Sequence, residues 1–307
     1  MRNPILVTGS HKSGTTWTGK VLALSDDVGY LSEPFNPNSN PSNARLGTDY
    51  WFKYITEGSS ESKEIKRHLE SLFEFNYPYL REFKKVNGQK DLLRFLKGLV
   101  MFNYKGLRYN RPLMKDPIAI MSADWLYEKF DMDVIVLIRH PASFVSSMKK
   151  YGMDHPFEHF AKQKNLLKDK LAPFKQQIRD FADHQRDLVE QGILLWKIIY
   201  SVIEDYRDEF DAWSFIKQED LASNPLDEFE KLYKKLGLDY TKKIKSQIVD
   251  ITKATNPVEI EEDKDRTRRN SKAQIKIFRE RLTQKEIKRV KNGTSGVWEE
   301  FYGPKDW

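Results

Sequence analysis

The chain has 307 residues, of which 39% are hydrophobic and 13% aromatic, enough for a substantial core and unlike disordered or fibrous chains. Its 52 Lys and Arg against 45 Asp and Glu leave a net charge of +7, which suits an anionic ligand, a nucleic acid or a merely basic surface. The lack of cysteine excludes a disulfide framework, a thiolate nucleophile and a Cys-bound zinc, and fits the reducing cytoplasm.

The opening MRNPILVTGS runs at once into a branched apolar stretch, so no cleaved leader is expected. No run of about eighteen apolar residues occurs, so no spanning helix is expected either. Residues 4–8 read as a strand, Gly9 to Thr16 as a loop of small residues, and Trp17 to Leu24 as a helix. A second strand, 28–32, is stopped by Pro34, which leaves Glu33 at its carboxyl end. Residues 36–47, rich in Asn, Pro and Ser, predict a mobile surface loop beside the site.

Helical periodicity covers 62–105, interrupted at Tyr77-Pro78 and Asn87-Gly88. A strand at 112–115 precedes a helix over 118–130. The run DVIVLI, 133–138, is the clearest interior strand, closing on Arg139-His140-Pro141 before a helix over 142–150. Two or three long helices are expected across 157–210, a last strand at 213–217, and a helix opened by Asn224-Pro225. Strands alternating with helices predict an α/β fold, a parallel sheet flanked by helices. With no compositional break, the whole of 1–307 reads as one domain, with helical insertions at about 50–110 and 151–210 forming a lid or acceptor surface.

Gly9-Ser10-His11-Lys12-Ser13-Gly14-Thr15-Thr16 has the spacing of a phosphate-binding loop. Backbone N–H groups leaving a strand and entering a helix point at an anion, with the positive end of the helix dipole behind them. A nucleoside triphosphatase needs Lys directly after the second glycine, where this chain has Thr15. Its interior strand would also end in a magnesium-binding Asp, where this chain has Arg139.

The run from Lys12 to Trp17, KSGTTW, resembles the 5′-phosphosulfate loop of the sulfotransferases that use 3′-phosphoadenosine 5′-phosphosulfate (PAPS), in the form of their cytosolic branch. The resemblance implies a P-loop NTPase-like sulfotransferase fold. It implies that Lys12 bridges the 5′-phosphate and the departing sulfuryl group, that Ser13, Gly14, Thr15 and Thr16 hold the 5′-phosphate, and that Trp17 stacks on adenine. The family's second signature, a strand-ending Arg with a Ser eight residues on, is matched by Arg139 and Ser147, which would grip the 3′-phosphate. Ser143 and Ser146 are near neighbours with weaker claims. The basic stretch 266–271, with Arg268 and Arg269, resembles the loop that closes over the 3′ end. Phe278 stands where the family often has an indole.

The cytosolic branch draws its base from a histidine before the second motif, but residues 112–117 contain none. The carbohydrate-directed branches use a glutamate in a Ser-Glu-Pro segment, which Ser32-Glu33-Pro34 matches, so Glu33 is the candidate base. Lys115 and Asp116 are candidates for contact with sulfate or acceptor. His11 either carries a proton or points away. His155 and His159 have helical i, i+4 spacing but no third ligand, so no metal is expected. The implied reaction is sulfuryl transfer from PAPS to an acceptor hydroxyl, on a carbohydrate or glycan, with no nucleic-acid partner. A P-loop kinase and a non-catalytic nucleotide- or polyanion-binding module are the alternatives.

Overall fold

Five strands form one parallel sheet in the order β2-β3-β1-β4-β5: β1 (Ile5–Gly9), β2 (Val28–Ser32), β3 (Arg111–Lys115), β4 (Asp133–Ile138) and β5 (Ser214–Lys217). The structure is a computed structural model that describes residues 2–38, 46–84, 86–258 and 268–307. β1 is central, with Val7 opposite Lys115 of β3 and Ile135 of β4. The chain first builds β2 and β3 on one side of β1, then crosses to β4 and β5 on the other. The topological switch therefore lies between β1 and β4, where an open parallel sheet offers its ligand crevice.

Alternation along the strands divides the core. Ile5, Val7, Ile135 and Leu137 face a layer made by α1 (Thr15–Leu22), α11 (Pro225–Lys235) and α12 (Lys242–Thr252). Leu6, Val134, Val136 and Ile138 face the opposite layer, in which α5 (Ala123–Phe130), α6 (Pro141–Lys150) and α9 (Leu188–Glu209) pack. Both faces are covered, and β1 is buried throughout, as an interior parallel strand requires.

The first insertion, between β2 and β3, holds α2 (Ser60–Phe73), α3 (Tyr79–Phe83) and α4 (Gln89–Arg108), broken where Pro78 and Gly88 stand. The helix expected at 118–130 is split into a 3₁₀ turn, Pro117–Ser122, capped by the Asp116 carboxylate, followed by α5. The second insertion differs from expectation. Only α9 is long; before it come α7 (Glu158–Ala161), irregular turns and α8 (Lys175–Asp183). Phe157, Phe160, Leu166, Leu171 and Phe174 are buried at spacings that successive turns satisfy. Pro173 would also break any helix carried through from 157.

α10 (Gln218–Ser223) leads directly into α11, whose preceding Asn224 makes no cap hydrogen bond and donates instead to Asp227 at 2.7 Å. The short α13 (Phe278–Arg281) and the capping-box helix α14 (Gln284–Gly293) pack beside α6. The loop expected at 36–47 falls largely outside the described residues, as do Arg266 and Thr267 of the basic stretch.

Candidate active site

The turn after β1 is built for close backbone approach. Gly9 has φ 140°, and a Cβ there would lie 2.5 Å from the Leu137 carbonyl oxygen. Gly14 at φ 91° is the residue before α1, with no side-chain cap and no acidic residue in the helix's first turn. The first-turn N–H groups of α1 therefore have no intrahelical acceptors and carry the positive end of the dipole into the cleft. The Ser13 side chain does not open onto that cleft: its hydroxyl donates to the Ser10 carbonyl at 2.6 Å and closes the turn from within.

From the other side of the switch point comes Arg139, immediately after β4. Its main chain is locked by two polar tips on α9. The Arg139 N–H donates to the Tyr200 hydroxyl at 2.6 Å, and Trp196 Nε1 donates to the Arg139 carbonyl at 3.0 Å. The guanidinium donates to the Lys12 carbonyl, which ties the two motifs together. Its Nε is buried without a hydrogen-bond partner. Burial pushes Arg139 below the usual guanidinium range, Glu219 opposes the shift, and Arg281 and Arg269 add to it.

These motifs open on one cleft, lined by Lys12, Gly14, Thr15, Thr16, Trp17, Arg139, Ser147 and Arg269 among the expected residues. Lys12 sits at φ 59° with its ammonium 4.2 Å over the Tyr151 ring. Trp17 meets Phe229 edge to face at 5.4 Å and lines the cleft with Ile251, an apolar end suited to a base. The Ser147 hydroxyl donates to the Ser143 carbonyl at 3.0 Å and accepts from Arg281 at 3.4 Å. Ser143 and Ser146 are turned elsewhere, to the carbonyls of Ile275 and Ser143. Arg268 is not in the cleft: its guanidinium pairs with Asp250 at 2.7 Å on the outer side of α12, and its neighbour Arg269 enters instead.

Glu33 lies at the carboxyl edge of β2 and β3, at φ 49°. Its carboxylate pairs with the buried Lys115 ammonium and accepts from Asn36 at 2.6 Å. Burial pushes Glu33 up, but Lys115, Asn36 and His11 outweigh it and hold the group below the usual carboxylate range. Glu33 does not line that cleft; the buried His11 feels both Lys12 and Glu33. His11 stacks on Phe52 at 5.2 Å, and burial pushes it down to about 4, so at neutral pH it is uncharged packing. Asp116 is fully buried, accepts N–H groups from Phe35 at 2.7 Å and Ile118 at 3.2 Å, and is pushed up to about 7 by burial and by Glu33.

His155 and His159 do not share a helix face. α7 begins at Glu158, His155 is nested among Phe52, Phe157 and Phe160, and His159 Nδ1 accepts from the Trp51 N–H at 3.0 Å.

Sequence reasoning missed Arg281, Tyr151, Gln218 and Gln274, which complete the cleft, and Tyr200 with Trp196, which hold Arg139. The last pair left a trace. Two side chains with polar tips, one helical turn apart in the apolar stretch 193–203, need buried partners. Phe278 at the indole-like position stacks on His140 at 5.0 Å, behind the cleft.

A loop-and-helix anion cleft at the switch point of a parallel sheet, without the lysine or aspartate of a triphosphatase, defines a phosphate-binding α/β enzyme of another kind. The sulfotransferase family model matches residues 4–242, and the chain belongs to that family. Enzyme class and donor follow with it: a sulfotransferase dependent on PAPS. No curated protein matches the chain. Among solved structures, sulfotransferase STF9 from Mycobacterium avium is similar at 12% identity, covering 97% of this chain and 76% of its own, with a TM-score of 0.45. STF1 from Mycobacterium tuberculosis H37Rv is similar at 13% identity over 97% and 77%, with a TM-score of 0.44. Mouse SULT7A1, complexed with PAP, is similar at 14% identity over 100% and 80%, with a TM-score of 0.34.

Proposed function

We propose that this sulfotransferase receives the 5′-phosphosulfate of PAPS on the Gly9–Thr16 turn and the first turn of α1, and the 3′-phosphate among Arg139, Ser147, Arg269 and Arg281. The observation that carries the reading is Arg139: a buried guanidinium on the cleft, bonded to the Lys12 carbonyl, with its Nε unpartnered. Three guanidinium groups line one cleft, Arg281 and Arg269 press on Arg139, and a phosphate dianion matches their planar donors. Trp17 and Ile251 offer the apolar wall for adenine. Arg268 and the Ser13 side chain have no part in it.

PAPS supplies a sulfuryl group whose departure leaves negative charge on the 5′-phosphate. Lys12 places an ammonium where that charge grows. Glu33, ionised and held by Lys115, takes the proton of the acceptor hydroxyl as the oxygen attacks sulfur. Asp116 accepts the Phe35 N–H and so braces the turn that carries Glu33. The glutamate base and its Ser-Glu-Pro setting favour a sugar hydroxyl as acceptor. The molecule is proposed to act as a single cytoplasmic domain without nucleic acid. Transfer of radiolabelled sulfate from PAPS to a panel of saccharide and non-saccharide hydroxyls tests this: label on a saccharide is expected, and label confined to non-saccharides overturns the acceptor class.

A further inference from the structure

The first insertion carries a surface that sulfuryl transfer does not use. On α4, Leu93, Val100 and Leu107 recur every seven residues and are 68%, 69% and 92% exposed, with Tyr104 between the last two. The opposite side of the helix holds it to the body. Gly98 and Phe102 are buried against Tyr77, and a Cβ at residue 98 would lie 2.6 Å from the Tyr77 hydroxyl. The exposed stripe is therefore a true outer face, about 100° of helix surface at i, i+3, i+4 and i+7 spacing. Leu80 and Phe83 of α3, also exposed, extend it, with Phe83 packed on Phe95 at 5.6 Å.

Charge identifies what this face fits. Residues 79–108 contain eight Lys or Arg and two acidic residues; Lys105 turns inward to the Tyr30 carbonyl and Arg108 pairs with Asp26 at 2.6 Å, which leaves the segment with a clear excess of cations. One of the two acids, Glu82, is buried, and the other, Asp91, is 3.3 Å from Arg94. A second copy of the chain would bring an equal positive charge against this one. An anionic surface would be attracted by the same cations. Single apolar side chains protruding from a convex helix also enter a lipid layer more readily than they fill a protein interface. No helix among the described residues is long and apolar enough to cross a membrane, and the cations along α4 would keep it in the plane of the surface.

We propose that α3 and α4 dock this protein onto an anionic lipid bilayer, with Leu93, Val100 and Leu107 entering the headgroup region. The docked helix is tied to the acceptor side of the site, because Lys105 Nζ donates to the Tyr30 carbonyl at 2.6 Å in β2, the strand that ends beside Glu33. Docking would bring the base edge towards hydroxyl acceptors carried at a membrane surface.

Flotation with phosphatidylcholine vesicles, with and without phosphatidylserine, tests the proposal. The wild type should float with the phosphatidylserine vesicles and be released by salt. The Leu93→Glu, Val100→Glu, Leu107→Glu triple variant should bind about tenfold or more weakly while melting at the wild-type temperature and keeping its calorimetric affinity for adenosine 3′,5′-bisphosphate. A second variant, Lys84→Gln, Lys90→Gln, Lys97→Gln, leaves the apolar stripe intact and should also weaken binding, by about tenfold. Failure of the wild type to float, undiminished flotation of the triple glutamate variant, or a wild-type dimer that the glutamates dissolve without any lipid binding each overturns it. Flotation and melting depend on neither turnover nor nucleotide, so they judge the proposal apart from the donor assignment.

Discussion

The crevice between β1 and β4 and the edge formed by β2 and β3 are both polar and buried, yet they are balanced in opposite ways. In the crevice, Lys12, Arg139, Arg269 and Arg281 share one lining, and Glu219, which faces Arg139, accepts from the His140 N–H and the Tyr302 hydroxyl. At the edge, Glu33 is matched by Lys115, and Asp116 by two backbone N–H groups. An excess of one sign in a buried site is costly unless a ligand neutralises it, whereas a matched pair is stable alone. On the proposed reading, the crevice receives an anion and the edge keeps a carboxylate ionised for the acceptor hydroxyl.

Substitutions on the two sides should separate these roles. The largest effect is expected from Lys12→Ala, which removes the charge proposed to face the leaving phosphate and should lower turnover about 100- to 1000-fold; wild-type rates would remove Lys12 from the chemistry. Glu33→Gln should cost about 100-fold in turnover while leaving nucleotide affinity intact, and a calorimetric loss of affinity instead would mean that the two regions are one. In the wild type, Glu33 must be ionised to act. Because its pKa is depressed, activity should persist as pH falls to the ordinary carboxylate range and be lost only below it. Removing its partner in Lys115→Met leaves burial to dominate, and the acid limb of kcat/KM should move to higher pH. An unmoved limb would contradict the pairing.

Smaller effects probe each side's supports. Arg281→Ala should weaken adenosine 3′,5′-bisphosphate about tenfold and adenosine 5′-phosphate hardly at all, since its hydroxyl partner Ser147 is proposed to hold the 3′-phosphate. Asp116 is pushed up to about 7 from an unfolded value near 3.8, so the folded state holds the extra proton between them. Stability from this group is fully present at low pH and falls as pH rises through about 7. Asp116→Asn should flatten that fall in a series of thermal melts.

What could be read from the chain follows the same division. The β1 turn and the β4 arginine are local: Lys12 to Trp17 and Arg139 to Ser147 each lie within one strand-turn-helix unit, so their spacing in sequence is their spacing in space. Five strands were legible for the same reason. Arg281 and Gln274 reach the cleft only through the packing of α13 on α6 and of the preceding turn on α10, a tertiary fact with no sequence period, whereas Tyr151 stands one turn after Ser147 at the end of α6 and so shares the local spacing of that motif. Arg268 and Arg269 could not be told apart by composition. The Arg269 N–H donates to the Ile251 carbonyl, and that register turns one guanidinium inward and its neighbour out to Asp250. Of the two or three long helices expected over 157–210 only α9 formed, because the buried residues from Phe157 to Phe174 follow turns rather than a helical repeat.

The claim that one cleft takes both phosphates of a single nucleotide is tested most directly by calorimetric titration with adenosine 3′,5′-bisphosphate and adenosine 5′-phosphate, in the wild type and in Arg139→Ala. The account predicts that the wild type prefers the bisphosphate by about tenfold or more and that the substitution erases the preference. Equal affinity of the wild type for both nucleotides, or no heat with either, would contradict it.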